Sequence, residues 1–487
     1  MKNFTISSLL LFLLGVTVIS NAQKNKPNVI LIITDDQGYG DVGAHGNSNI
    51  NTPNIDQLHA ESTRLTNFHV SPTCAPTRAA LLTGHYSNKT GVWHTIGGRS
   101  LLLENEKTMA DIFSENKYKT GAFGKWHLGD NYPYRPMDRG FDESVVHGAG
   151  GIWQTPDYWN NDYFDDTYQH NGILKKYKGY CTDVWFNESI KFIEENKDAP
   201  FFCYIATNAP HGPLWVEDRY VSSYENNEDI VKPAFYGMIE NVDENIGRLM
   251  KKLEALKLDQ NTIVIFMTDN GTASGVWTKK ETEFVFRGYG AGMRGRKNSA
   301  YEGGHRVPFF IRWPEGKIKP NTDINTLTAH IDVLPTLKQL CNLRDSNNTT
   351  FDGKNLTPLL YNNESWKSRT LVVDSQRSEY LKKWKKSAVM TEQWRLINGK
   401  ELYDIQKDFG QKNDVAKAHP EVVKELSKAY DIWWKNVSIN ADVVAPIIVG
   451  NAAANPTTLT CHDWHSNDQN PFQQDFIRKG INSNGWW

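Results

Sequence analysis

Two apolar runs in this 487-residue chain end in the same chemistry. Asn28 to Thr34 (NVILIIT) leads into Asp35, Asp36, Gln37 and Gly38, and Thr262 to Thr268 (TIVIFMT) leads into Asp269, Asn270 and Gly271. Brought to one edge, they offer three carboxylates and an amide oxygen. Clustered carboxylates repel one another, and a cation relieves that repulsion. An all-oxygen donor set favours calcium or magnesium, whereas zinc prefers nitrogen or sulfur and neither strand end has an adjacent His. A third segment runs Cys74-Ala75-Pro76-Thr77-Arg78-Ala79-Ala80-Leu81-Leu82-Thr83-Gly84. Pro76 and the helix formers after it place Cys74 at a helix N-terminus, which lowers a thiol's pKa and favours anions.

The elements that must position these residues follow from hydrophobic patterning. The runs at 28–34, 201–206, 262–268 and 307–312 are continuous, short and apolar, as central strands covered on both faces are. Thr52-Pro53 opens a helix with Pro at its first position. Phe235, Met238, Ile239, Val242, Ile246, Leu249 and Leu253 recur at spacings of three and four, predicting an amphipathic helix over Pro233 to Leu256. Buried strands alternating with helices predict an α/β fold with a large, mostly parallel central sheet flanked by helices. In such sheets ligands collect beyond the carboxyl ends of the strands. After about residue 355 come short strand candidates at Leu371–Val373, Ser387–Met390, Arg395–Ile397 and Leu402–Ile405, then a helix over Glu421–Trp434. These predict a smaller C-terminal α+β unit with an antiparallel sheet. The expected division is 23–360 for the first unit and 361–487 for the second, whose tail from about Ala441 lacks periodicity.

Composition narrows the function. Lys+Arg 54 against Asp+Glu 56 gives a net charge of -2, so there is no overall positive field and general nucleic-acid binding is excluded. Met1 to Ala22 carries one charge, an apolar run and small residues at Ser20 and Ala22, which predicts a secretory signal and an exported protein. No other stretch is apolar enough to span a membrane. The five cysteines (74, 181, 203, 341 and 461) are an odd number for an oxidising compartment, so at least one is unpaired, paired elsewhere or altered.

Cys74, Pro76, Arg78, Thr83 and Gly84 resemble the signature of the type I sulfatases of the alkaline phosphatase superfamily, with Thr77 where Ser is common. Further segments match that family in order: Gly124-Lys125-Trp126-His127-Leu128-Gly129, Pro210-His211-Gly212-Pro213, and Lys297 followed by Glu302-Gly303-Gly304-His305-Arg306-Val307-Pro308. The resemblance implies that Cys74 is converted to formylglycine by a maturation enzyme and that the hydrated aldehyde is the nucleophile, which would take Cys74 out of the thiol pool. It implies that Asp35, Asp36, Asp269 and Asn270 hold calcium together with residue 74, and that Asp269 also accepts the attacking proton. Arg78 would fix the diol, and Lys125 and Lys297 would bind sulfate oxygens. His211 would protonate the leaving alcohol, and His127 would take the second diol proton and drive sulfate release.

These segments read sulfate and not the group that carries it. His94 and Arg99 follow the signature closely and are candidates for the mouth. The insert holding Trp153, Asp162, Asp165 and His170 combines aromatic faces, carboxylates and imidazole, the groups that stack on and hydrogen-bond a sugar ring. Lys382-Lys383-Trp384-Lys385-Lys386 is either a solvated loop or a holder of further sulfates. Cys461-His462-Asp463-Trp464-His465 is either a weak metal box, a pocket wall or half of a disulfide. The reading is a carbohydrate sulfatase, with algal oligosaccharides of the ulvan or carrageenan kind first and glycosaminoglycans second. The alternatives are a phosphonate or phosphodiester hydrolase of the same superfamily and a non-catalytic sulfated-glycan binding protein.

Overall fold

The structure is a computed structural model that describes residues 26–362, 366–466 and 470–487. The signal assigned to residues 1–22 lies outside the described residues. A ten-stranded sheet organises the molecule. At its centre, Thr262–Thr268, Asn28–Thr34, Phe201–Ala206, Lys119–Lys125 and Glu143–His147 run side by side and parallel. Along Asn28–Thr34 successive side chains enter opposite cores. Val29, Leu31 and Ile33 pack with Ala75, Ala79 and Leu82 of the helix Cys74–Thr83, and Ile30 and Ile32 pack with residues of the helices Cys181–Glu195 and Pro233–Ala255. That alternation explains an unbroken apolar run: both faces of the strand are covered, and each buried Leu or Ile contributes about 1.5–3 kcal/mol.

Antiparallel strands lie on either side of this parallel centre, in keeping with a mostly parallel sheet. Phe309–Arg312 joins the sheet antiparallel to Thr262–Thr268. At the other edge, the insert adds an antiparallel hairpin, Thr167–His170 and Ile173–Lys176, beside Glu143–His147. The C-terminal unit is a four-stranded antiparallel sheet of Leu371–Asp374, Ser387–Met390, Trp394–Ile397 and Glu401–Asp404, as patterned in the sequence. One face, through Val373, Ala388 and Met390, packs on Ala80, Leu327 and Ile331 of the first unit. The other, through Val389, Leu396 and Leu402, packs on Leu426, Tyr430 and Trp433 of the helix Pro420–Val437. The aperiodic tail is strapped along the first unit: Arg99 Nη1 donates to Val443 O at 2.8 Å, Tyr134 Oη to Pro446 O at 2.7 Å, and Gln474 Nε2 to Gln154 O at 3.1 Å. Among the described residues no helix is long and apolar enough to cross a membrane.

Candidate active site

The two acidic strand ends lie next to each other because their strands pair directly, with Thr34 opposite Thr268. Asp36 N–H donates to Asp269 Oδ1 at 3.1 Å, and Asn270 Nδ2 donates to Asp36 Oδ1 at 2.9 Å. Cys74 opens its helix over this edge, and ligand atoms of Asp35, Cys74 and Asp269 all lie within 4.8 Å of one another. Asp35 Oδ1 and Asn270 Oδ1 are buried and have no hydrogen-bond partner among the described residues. Orphaned buried oxygens are costly, and here two of them sit among carboxylates. The donor set therefore fits a hard cation held by Asp35, Asp36, Asp269 and Asn270.

Cationic side chains surround this cluster. Arg78 is fully buried and donates through Nε (3.2 Å) and Nη2 (2.9 Å) to Asp269 Oδ2, while its Nη1 donates to Lys125 O at 3.0 Å. Lys125 Nζ donates to Asp35 Oδ2 at 2.5 Å, and Lys297 Nζ donates to Asp36 Oδ1. Burial pushes the Asp35 carboxyl up to about 6 against the pull of Lys125, and burial with the Asp35 charge pushes Asp269 up to about 6. Burial works to raise Asp36 as well, but Lys297 and His211 outweigh it and hold that carboxyl well below its usual range. The Cys74 thiol is lowered: burial opposes ionisation, and Lys125 and Lys297 overcome it.

Two histidines flank the cluster, and their tautomers follow from their partners. His127 Nε2 donates to Thr95 O at 2.9 Å, which leaves Nδ1, buried and unpartnered among the described residues, as the proton-accepting atom. His211 Nδ1 donates to Gly212 O at 2.7 Å, and its Nε2 faces Asp36 Oδ2 at 3.8 Å. Burial lowers both, His211 to about 4 and His127 well below its ordinary value. Asp36 (φ 68°) and His127 (φ 62°) both hold left-handed backbone, a conformation costly for non-glycine residues and concentrated at functional sites.

The predicted mouth residues fall into three groups. His94 Nδ1 accepts from Thr95 N at 2.6 Å, and the Trp153 ring lies tilted by 57° against Trp215 with centroids 5.3 Å apart, two residues beyond Gly151, which abuts His211. Arg99 is a brace: it stacks over Trp93 at 4.5 Å and bonds to Glu379 and the tail. Asp162, Asp165 and His170 are not gathered at the cluster. Asp162 accepts from Phe164 N, Asp165 from Gly179 N, and His170 lies on the edge hairpin against Tyr177 and Glu143.

The tail brings a residue that patterning left ambiguous. His462 is buried, its ring centroid is 6.3 Å from that of His127, and its Nδ1 donates to Asp463 Oδ1 at 2.9 Å. Among the described residues Cys461 forms no disulfide, and neither do Cys74, Cys181, Cys203 and Cys341. Sequence reasoning also passed over Gly150, whose place against the His127 ring leaves no room for a Cβ. The run Gly148-Ala149-Gly150-Gly151 was its signal.

A carboxylate-rich edge of a doubly covered sheet, capped by a helix-opening cysteine and ringed by Arg, two Lys and two His, defines a hydrolase that handles an anionic ester. The chain belongs to the sulfatase family: the family's profile, "Sulfatase", matches residues 27–343, and "N-sulphoglucosamine sulphohydrolase, C-terminal" matches residues 296–432. It is a sulfuric ester hydrolase with the mixed, mostly parallel sheet and C-terminal antiparallel sheet of the alkaline phosphatase superfamily. It is 30% identical to an N-acetylgalactosamine-6-O-sulfatase of Bacteroides thetaiotaomicron, over 88% of this chain and 98% of that protein. It is 28% identical to the human N-acetylgalactosamine-6-sulfatase, over 69% of this chain and 66% of that one. Among solved structures it is similar to Ps i-CgsB in complex with k-i-k-neocarrahexaose, with a TM-score of 0.72 and 29% identity over 85% of this chain and 98% of that chain.

Proposed function

We propose that this protein is exported and removes sulfate from a sulfated carbohydrate, using residue 74 as formylglycine and a calcium ion at the strand edge. The observation that carries the proposal is the pair of orphaned oxygens, Asp35 Oδ1 and Asn270 Oδ1, beside the helix-opening Cys74. Bound calcium would supply positive charge against the sulfate and the attacking oxygen, and hydrated formylglycine would supply a nucleophile that carries its own release step.

The protein's side chains supply the rest. Arg78, fixed by Asp269 and Lys125 O, orients residue 74. Lys125 and Lys297 are cationic donors aimed at the same centre, placed to bind sulfate oxygens and to strengthen their hold as charge develops. His127 accepts a proton at Nδ1, and His211, whose neutral ring carries its proton on Nδ1, takes up a second proton at Nε2 as the anionic sulfate binds beside it and passes that proton to the leaving alcohol. Buried walls at Trp126, Leu128 and Tyr134 exclude water from behind these groups.

Two relatives support a sugar as the leaving group, since one is named for N-acetylgalactosamine and the other was solved with a carra-oligosaccharide. Algal oligosaccharides of the carrageenan or ulvan kind remain the first reading and glycosaminoglycan fragments the second. The test is sulfate release by matured protein from a panel of defined sulfated oligosaccharides, run beside an aryl sulfate and an aryl phosphodiester. The proposal expects sulfate release from at least one saccharide and a weaker phosphodiesterase activity. Faster phosphodiester cleavage would move the assignment to the sister hydrolases, and tight glycan binding with no sulfate released would leave a binding protein.

A further inference from the structure

The loop between the first two strands of the C-terminal sheet carries five cations, four of which form no ion pair among the described residues. It runs from Ser375 to Lys386 and contains Arg377, Lys382, Lys383, Lys385 and Lys386. Lys383 pairs with Asp431 at 2.6 Å. Among the described residues, Arg377, Lys382, Lys385 and Lys386 form no ion pair, in a chain whose net charge is -2. The groups facing Lys385 are mostly of its own sign. Burial, then Lys382, Lys386 and Arg377, push its ammonium below the usual lysine range, and Asp374 acts the other way. The Asp374 carboxylate is buried and already takes hydrogen bonds from Asn88 (2.9 Å) and Gln376 (2.6 Å).

This loop borders the catalytic centre on two sides. Arg377 N donates to Trp93 O at 3.2 Å and Trp93 Nε1 donates to Ser378 O at 3.1 Å, two residues before the Thr95 carbonyl that holds His127. At its base, Ser375 Oγ bonds Asn298 Oδ1 at 3.3 Å, next to Lys297. Its shape is fixed. Trp384 stacks on Tyr430 at 3.6 Å, and Arg377, Trp384 and Lys386 all hold left-handed backbone (φ 37°, 59° and 42°). Like charges gathered on a constrained loop raise the free energy of the unliganded protein, and an anion lowers it.

Building on the sulfatase reading above, we infer that Arg377, Lys382, Lys385 and Lys386 form a binding site for a second anionic group, a sulfate or a carboxylate, on the same oligosaccharide whose scissile sulfate occupies the centre at Cys74. The fixed loop holds that group at a set displacement from the scissile bond. The enzyme then prefers glycans that carry charge on more than one position.

Three oligosaccharides test this: one with a single sulfate, one with a second sulfate, and one with a single sulfate and a uronate carboxylate. KM and kcat are measured for the wild type, for Arg377→Ala/Lys385→Ala and for Lys383→Ala. The double variant is expected to raise KM about ten-fold on at least one doubly charged substrate, with kcat unchanged and a weaker salt dependence. The substrate on which this occurs identifies the anion. Lys383→Ala is expected to behave as wild type. Equal KM for wild type and double variant on both doubly charged substrates overturns the inference. Calorimetric titration of the same saccharides keeps the two claims apart. A wild type that releases no sulfate but binds the doubly charged saccharides about ten-fold more tightly than the double variant does would sink the sulfatase reading and leave the anion site standing. Conservative Arg377→Lys/Lys385→Arg is expected to restore the low KM, which a folding defect in the alanine variant would not explain.

Discussion

Residue 74 is the centre on which the other side chains converge. Cys74→Ala and Cys74→Ser are expected to lose at least about 10³-fold in sulfate release while keeping the wild-type melting temperature, because a small side chain replaces a small buried one. Sulfate release and thermal melts on the purified variants check this. The orphaned oxygens make a second prediction. Calcium at 100 times its dissociation constant is expected to add about 2.7 kcal/mol of stability. Asp35→Ala, which removes one orphan, is expected to abolish that increment, read as the calcium-dependent shift in melting temperature. Most of this cluster was legible in the sequence, since Asp35, Asp36, Asp269 and Asn270 end strands whose apolar runs are unbroken. The place of His462 beside His127 was not, because it depends on a tail carried back by contacts more than 300 residues apart in sequence, such as Tyr134 with Pro446.

Close backbone approach explains the glycines of the strand ends. A Cβ on Gly271 would lie 1.8 Å from Gly303 O, and one on Gly303 would lie 2.3 Å from Gly295 O, so neither position admits a side chain. Gly124 has φ 105° and a Cβ there would lie 2.1 Å from Ala206 O, immediately before Lys125. Gly271→Ala and Gly124→Ala are each expected to destabilise by more than about 1 kcal/mol in denaturant melts and to reduce activity by displacing Asn270 or Lys125. The strand Lys119–Lys125 was invisible to patterning, because Lys-Thr-Gly-Ala-Phe-Gly-Lys has a single β-branched residue and two glycines. Its place comes from pairing with Phe201–Ala206 on one side and Glu143–His147 on the other. The antiparallel direction of Phe309–Arg312 was equally hidden, because an apolar run records burial on two faces and not the sense of its neighbour.

At the scale of the whole molecule, one buried charge cluster ties the two units together. Glu302 accepts from Arg395 Nε of the C-terminal sheet at 2.6 Å and from Arg306 Nη1 at 3.1 Å. Burial works to raise the Glu302 carboxyl, but Arg395, His69 and Arg306 hold it well below its ordinary value of 4.5. A depressed carboxyl stabilises the fold in full above that ordinary value and loses its contribution as pH falls below it. The melting temperature is therefore expected to drop as pH is lowered from about 5, with the drop blunted in Glu302→Gln. Arg395→Ala, which leaves the carboxylate buried with less compensation, is expected to cost about 3–5 kcal/mol at neutral pH. The near-neutral net charge excluded a polyanion bound over the whole surface, and the structure localises positive charge around Cys74 and on the loop beside it.

Sulfate release by protein whose residue 74 is verified as formylglycine by peptide mass analysis, assayed beside Cys74→Ser on sulfated oligosaccharides, tests the nucleophile most directly. Release of inorganic sulfate from at least one saccharide by the matured protein is expected, with none above background by Cys74→Ser. Equal release by the two proteins, or no release from any saccharide by fully matured protein, contradicts that expectation.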